Sequence, residues 1–300
     1  MRILFVNNKT YRGHVDSGWW YFYLPLCQLG HEVYFYDTVP APEKDLNKVI
    51  ESFKPDLIFC MLTGDGNIAA HEPWQALAAE TQSGRTKTFN WFCDDTWRFT
   101  DFSSRVCKHF TVCSTPERPH IQKYKDIGYD NIVVGNWHSY SKHYPSVAFE
   151  QKKYDISFIG APTPNRKVYF NNCPIPIEWL FGMTQEELFR AHANSKIGIN
   201  LSTNDNDPSG ATQMKQRIFE VPAGGGLLIT EYHPGIEEYY EVDKEIITFK
   251  TRPEFIDKAH FLCKNAAVTK KIGAAGHRRF LKDHDSTIRL ARVLEEIMAI

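Results

Sequence analysis

The sequence predicts an α/β fold built from two doubly wound domains. Three observations lead there. Short apolar runs alternate with amphipathic segments through the first half of the chain; a second series of the same kind begins near Tyr154; and residues 136–150 between them are rich in aromatic, His and Ser residues. Strands alternating with helices over short connections select a parallel sheet covered on both faces.

In the first series, residues 3–6, 32–36, 57–60, 88–92, 110–113 and 132–134 read as strands. Helices are expected at 17–29, 43–53, 73–82 and 116–127, with Gly30 and Gly128 where helices end. In the second series, 155–159 is a strand ending at Gly160, and 184–193 is a helix opened by a Thr184–Glu187 capping box. Residues 197–201 form the next strand. The segment 161–183, with its four prolines, reads as irregular. Helices at 253–264, 268–282 and 286–298 close the chain. The expected domains are 1–145 and 146–285, followed by a terminal helix at 286–300.

A length of 300 residues suits two domains, and a net charge of -1 gives no overall drive toward nucleic acid or anionic membranes. MRILFV turns polar at once with Asn7, Asn8 and Lys9, so no signal peptide is expected, and no apolar run approaches a membrane span. Seven cysteines, odd in number, without a C-x-x-C pair and mostly within apolar segments, suit reduced thiols in the cytoplasm.

The run KQRIFEVPAGGGLLIT, residues 215–230, is the most informative. It reads as a helix ending at glycine and turning at once into a buried strand. The start of such a helix faces the carboxyl ends of the strands, where its N–H groups favour an anion. Glu220 lies where a carboxylate can accept from ribose hydroxyls. A solvated Arg and Glu on an ordinary crossover helix is the alternative reading.

RIFEVPAGGGLLIT followed by Pro234-Gly235-Ile236-Glu237-Glu238 resembles the carboxyl-terminal domain of GT-B glycosyltransferases, and among them the CgeB-like (spore-maturation protein) group. Residues 245–249, the run Ala274-Ala275-Gly276-His277-Arg278-Arg279 and His284 agree with it. The resemblance implies two Rossmann-like domains facing a cleft, a terminal helix returning to the first domain, and a nucleotide sugar, such as a UDP- or GDP-sugar, as substrate with no separate cofactor. A regular crossover helix after the first strand of the second domain is also implied, and 161–183 departs from it.

The resemblance further implies donor contacts from Gly160, Arg166, Gly210, Thr212, Lys215, Arg217 and Glu220. Arg166 follows the strand that ends at Gly160, where a basic residue meets the donor pyrophosphate in similar transferases; a surface Arg in a Pro-rich loop is the alternative. Lys215 and Arg217 point in different directions on a helix, so one of them reaches the donor, and Arg217 is favoured. Many retaining relatives carry two glutamates eight positions apart. Glu220 matches the second, but Thr212 stands at the first. Thr212 and the amides near Gly210 and Ala211 then hold the donor through neutral hydrogen bonds, with its phosphates near Arg166, Arg217 and a helix start expected at Gly210.

The first domain offers two polar clusters. In NNKTYRGHVDSG, residues 7–18, His14 and Asp16 suit an acceptor hydroxyl. Asp94 and Asp95, beside Trp97 and Arg98, suit a general base or an acceptor clamp, with a helix N-cap as the alternative. The D-x-D pattern at Asp205 and Asp207 reads as a polar loop, so no metal is expected. No G-x-G-x-x-G follows the first strand, and no G-x-x-x-x-G-K-[ST] occurs.

The resulting expectation is a metal-independent glycosyltransferase, a hexosyl- or pentosyltransferase, acting on a saccharide or cell-surface polymer. A phage-type DNA glycosyltransferase acting on a hydroxylated base is one alternative. A non-catalytic nucleotide-sugar-binding protein of the same fold is another.

Overall fold

The computed structural model describes residues 1–204 and 210–300. Its contacts divide the chain into two units: Met1–Asn136 with Arg289–Ile300, and Trp137–Ile288.

The first unit holds a parallel sheet of β1 (Arg2–Asn7), β2 (Glu32–Asp37), β3 (Leu57–Cys60), β4 (Lys87–Trp91), β5 (Val112–Thr115) and β6 (Ile132–Val134). Their spatial order is β2-β1-β3-β4-β5-β6. The order reverses between β1 and β3, and at such a switch point an open α/β sheet leaves a crevice beyond its strand ends.

The two-residue period of the strands sorts side chains onto two faces. Leu4, Val6, Ile58 and Cys60 join the buried cluster that includes Leu46, Val49, Leu77 and Tyr124, from α2 (Leu46–Phe53), α3 (Trp74–Ser83) and α4 (His120–Asp126). The alternate positions make an aromatic layer, with Phe59 centred 5.7 Å from Phe5 and 4.7 Å from Phe89, and Phe22 4.9 Å from Trp91. Phe22 comes from the helix expected at 17–29, which contains a π-helical stretch, Trp19–Tyr23, before α1 (Leu24–Gln28).

The second unit repeats the same order. Its strands are β7 (Tyr154–Ile159), β8 (Glu178–Leu180), β9 (Ser195–Asn200), β10 (Leu227–Glu231) and β11 (Ile247–Phe249), arranged β8-β7-β9-β10-β11. Its helices are α5 (Pro164–Phe170), α6 (Gln185–Ala193), α7 (Arg217–Ala223), α8 (Arg252–Lys264) and α9 (Ala266–Asp283). One core cluster gathers Ile156, Phe158, Ile197, Ile199, Ile229 and Phe255; another gathers Ile218, Phe219, Val221, Leu228 and Phe280. The capping box is present: Glu187 N donates to Thr184 Oγ1 at 3.3 Å and Thr184 N donates to Glu187 Oε2 at 2.8 Å.

The segment 161–183 differs from the irregular stretch expected. Pro164 takes the first position of α5, where its missing N–H costs no intrahelical bond, and β8 adds an edge strand. The last helix, α10 (Ser286–Ala299), belongs to the first unit from Arg289 onward. There Lys87 Nζ donates to the carbonyls of Ile297 and Met298 at 3.2 and 3.3 Å, partners that a helix C-terminus lacks. Among the described residues no helix is long and apolar enough to cross a membrane.

Candidate active site

In the second unit the switch point lies between β7 and β9. Gly160, just past β7, is fixed by the edge strand: its N–H donates to Leu180 O, and its carbonyl accepts from Trp179 Nε1, both at 2.9 Å. Two guanidinium groups converge on it. The Cζ of Arg166, on α5, and of Arg217, opening α7, stand 5.4 and 4.8 Å from the centre of the buried Phe158 ring. A Cβ on Gly160 would stand 3.1 Å from Arg166 Nη1 and 3.2 Å from Arg217 Nη2. Glycine therefore leaves room that any other residue would take from the two cations.

The strand ends orient these cations. Arg217 Nη1 donates to Asn200 Oδ1 at 2.9 Å, and Asn200 Nδ2 donates to Thr230 Oγ1 at 2.9 Å. Arg166 Nη1 donates to Ala161 O at 2.9 Å. Each fork thus makes a bond to a neutral acceptor beside an aromatic face, and its planar geometry suits phosphate oxygens.

Glu220 lies one turn beyond Arg217 on α7 and is only 6% exposed. Its Oε2 is 3.5 Å from Nε2 of the buried His192, on α6. This neighbour is not legible in sequence, because α6 and α7 are brought together only by the fold.

Gly210 does not stand at a helix start, contrary to the expectation from sequence. It is exposed with φ +69°, and α7 begins at Arg217. Thr212 instead pairs with Thr203 as an isolated antiparallel bridge, and its Oγ1 lies 2.9 Å from His233 Nδ1. Lys215 is half-buried, ahead of α7; Ile218 N donates to its carbonyl at 3.1 Å. Glu231, which no sequence pattern singles out, anchors this region: it accepts from Thr203 N at 2.7 Å, Thr203 Oγ1 at 2.8 Å and the Tyr169 hydroxyl at 3.2 Å. Asp205 and Asp207 lie outside the described residues.

In the first unit, Asp16 and Asp94 lie beyond the carboxyl ends of β1 and β4. Asp16 Oδ1 accepts from Gly18 N at 2.9 Å and Ser17 Oγ at 3.3 Å, which holds it at the start of the following helix. His14 sits exposed on a two-stranded ribbon, Thr10–Tyr11 against His14–Val15, turned by Arg12 and Gly13 at positive φ.

The adjacent carboxylates part company. Asp94 occupies the N-cap position of the short helix Asp95–Arg98, but its side chain makes no capping bond. Asp95 turns inward, 1% exposed, and accepts from Ser103 Oγ at 2.5 Å and the Tyr124 hydroxyl at 2.8 Å. Burial raises its pKa above the usual carboxylate value, although hydrogen bonds oppose the shift. Its geometry is that of a core acid rather than an acceptor contact. Cys93 marks where the acids meet: burial pushes its thiol well up, and Asp94, Asp16 and Asp95 push it further while Arg98 pulls it back. Asp16 and Asp94, far apart in sequence, thus act on one thiol. Among the described residues no group of three or more His, Cys, Asp or Glu side chains could hold a metal ion.

Known proteins match this architecture. The model of the glycosyl transferase-like family matches residues 146–295. No curated protein matches the chain by sequence. Among solved structures, Anabaena HepE in complex with UDP-glucose is 12% identical, with 100% of both chains covered and a TM-score of 0.67. Sucrose-phosphate synthase from Thermosynechococcus elongatus is 9% identical, with 99% of both chains covered and a TM-score of 0.64. An α-glucosyltransferase in complex with UDP is 12% identical, covering 99% of this chain and 100% of its own, with a TM-score of 0.64.

Two doubly wound units of this order, matched over their whole length by such structures, define the GT-B glycosyltransferase fold. The chain belongs to the glycosyl transferase-like family.

Proposed function

We propose that the chain transfers a sugar from a nucleotide-sugar donor to an acceptor hydroxyl without a metal ion. The observation that carries this is the convergence of Arg166 and Arg217 on Gly160 at the switch point of the second unit. The acceptor oxygen bonds to the anomeric carbon as the bond from that carbon to the diphosphate breaks. Negative charge grows on the diphosphate, and the two guanidinium groups stabilise it. A UDP-sugar is the favoured donor, since HepE and the α-glucosyltransferase were each solved with a UDP ligand. Glu220 accepts from the ribose hydroxyls. Gly210, Thr212 and Lys215 border the donor as secondary contacts.

Acceptor chemistry falls to the first unit, with Asp94 taking the hydroxyl proton and Asp16 and His14 beside the acceptor. The acceptor is a saccharide or cell-surface polymer. Within the family the run RIFEVPAGGGLLIT supports a place in the CgeB-like group. The domain plan is 1–145 for the acceptor and 146–285 for the donor, with the helix at 286–300 returning to the first, and the cytoplasm is the compartment.

A thermal-shift screen against nucleotide sugars tests the proposal. A UDP-sugar is expected to raise Tm saturably, by selective binding to the folded state. No response to any nucleotide sugar would sink it. Donor hydrolysis in the absence of acceptor separates a transferase from a binding protein of the same fold.

Two further outcomes are expected. Glu220→Ala should weaken donor binding about 10- to 100-fold, the worth of a hydrogen bond to a charged group, with the circular dichroism unchanged. Unaltered calorimetric affinity in a folded variant would remove Glu220 from the ribose. Activity should also survive EDTA, because cationic side chains supply the charge at the diphosphate. A loss restored by manganese or magnesium would transfer that role to a metal held by Asp205 and Asp207.

A further inference from the structure

A cavity of about 400 Å³ opens in the second unit at the edge away from Gly160. It lies beside the amino ends of the strands, where Lys152 precedes β7 and Gly225 precedes β10. Its basic side chains are Lys152, Lys270 and His277, and no carboxylate is among the described lining residues. Ser141, Ser146 and Tyr144 add hydroxyl groups. The volume is that of a small-molecule site.

The basic groups are placed by the fold. Lys152 is only 6% exposed, and its Nζ donates to Ala193 O at 2.5 Å and Gly224 O at 2.8 Å, joining the ends of α6 and α7. An ammonium has three donors, so one remains for an occupant. Burial lowers the Lys152 pKa to about 8, so the charge is present at neutral pH but costly, and an anion would relieve it. His277 Nδ1 lies 2.7 Å from Pro222 O. A carbonyl only accepts, so Nδ1 donates to it, and Nε2 is the ring nitrogen left to meet a hydroxyl of the occupant. Lys270 Nζ reaches Glu150 Oε1 at 2.5 Å, an exposed pair that an entering anion can share.

We propose that this cavity binds a small phosphate ester bearing free hydroxyls, with the phosphate on Lys152 and Lys270 and a hydroxyl on His277. It is separate from the phosphate contacts at Gly160 and does not depend on them.

Glycerol 3-phosphate, inorganic phosphate and glycerol serve as probes in thermal-shift and calorimetric titrations of the full chain. Glycerol 3-phosphate should bind saturably and more tightly than either fragment. Lys270→Ala and His277→Ala should each raise its Kd by about 10-fold, the loss of one charged or polar contact. Both positions are partly exposed, so the test does not rest on Lys152, whose removal would uncap two helices. Arg217→Ala should retain the response. Absence of saturable binding overturns the proposal. So does binding that persists unchanged in Lys270→Ala and His277→Ala, or that is lost in Arg217→Ala, since the phosphate would then sit at Gly160.

Discussion

Arg217→Ala is expected to raise the Kd for a UDP-sugar by at least about 30-fold and to cut turnover further at saturating donor. The first effect follows from removing a charged fork that Asn200 and the Phe158 ring hold in place; truncating one partner of such a pair costs about 2–5 kcal/mol. The second follows from charge on the departing diphosphate, which is greater in the transition state than in the bound donor. Arg217→Lys should recover part of the affinity, because it keeps the charge but loses the two-pronged geometry. Gly160→Ala should fall between them: its Cβ would crowd Arg166 and Arg217 together, at 3.1 and 3.2 Å. Calorimetry with UDP and with the UDP-sugar, beside steady-state kinetics, separates binding from turnover. Near-wild-type affinity in folded Arg217→Ala would move the diphosphate away from Gly160 and remove the basis of the functional proposal.

The positions legible in the sequence are those where local pattern and tertiary role coincide. Each main strand is an apolar run bounded by a turn, so β1, β3 and β10 can be placed to within about a residue. Lys215, expected on one helix with Arg217, stands ahead of α7, so the helix start rather than helix spacing sets the two apart. What stays hidden depends on which elements meet. Phe158 looks like any other core residue, yet its ring supports both cations. His192 reaches Glu220 from a different helix. Four prolines mask α5, although one of them starts it, and the three residues of β8 are too few to show a period. Asp94 and Asp95 are equivalent in a sequence. A turn into a short helix sends one side chain toward Tyr124 and leaves the other at the helix start.

That divergence sets up the sharpest test of the acceptor side. Asp94→Asn is expected to lower kcat by about 10²–10⁴-fold, the usual worth of a general base, while donor affinity stays near wild type. Asn keeps the size and most of the hydrogen bonding but cannot take a proton. Asp95→Asn should behave in the opposite way. Its carboxyl touches Ser103 and Tyr124 in the core, so turnover should barely change. Stability should respond instead. Because burial raises the Asp95 pKa, the folded chain holds that proton more tightly than the unfolded chain. The stabilisation is complete below the unfolded carboxylate pKa and is lost as pH rises through the folded value. At neutral pH the buried charge is a cost, so Asp95→Asn should melt no lower than wild type there and should flatten the melting profile across mild acid. Kinetics and melting curves of the two variants, measured side by side from about pH 4 to 8, a span that brackets the carboxylate range, decide the matter. Equal kcat losses would make the pair act as one catalytic unit. Wild-type kcat in both would pass the acceptor's proton to Asp16 or His14, the other two candidates from the first unit.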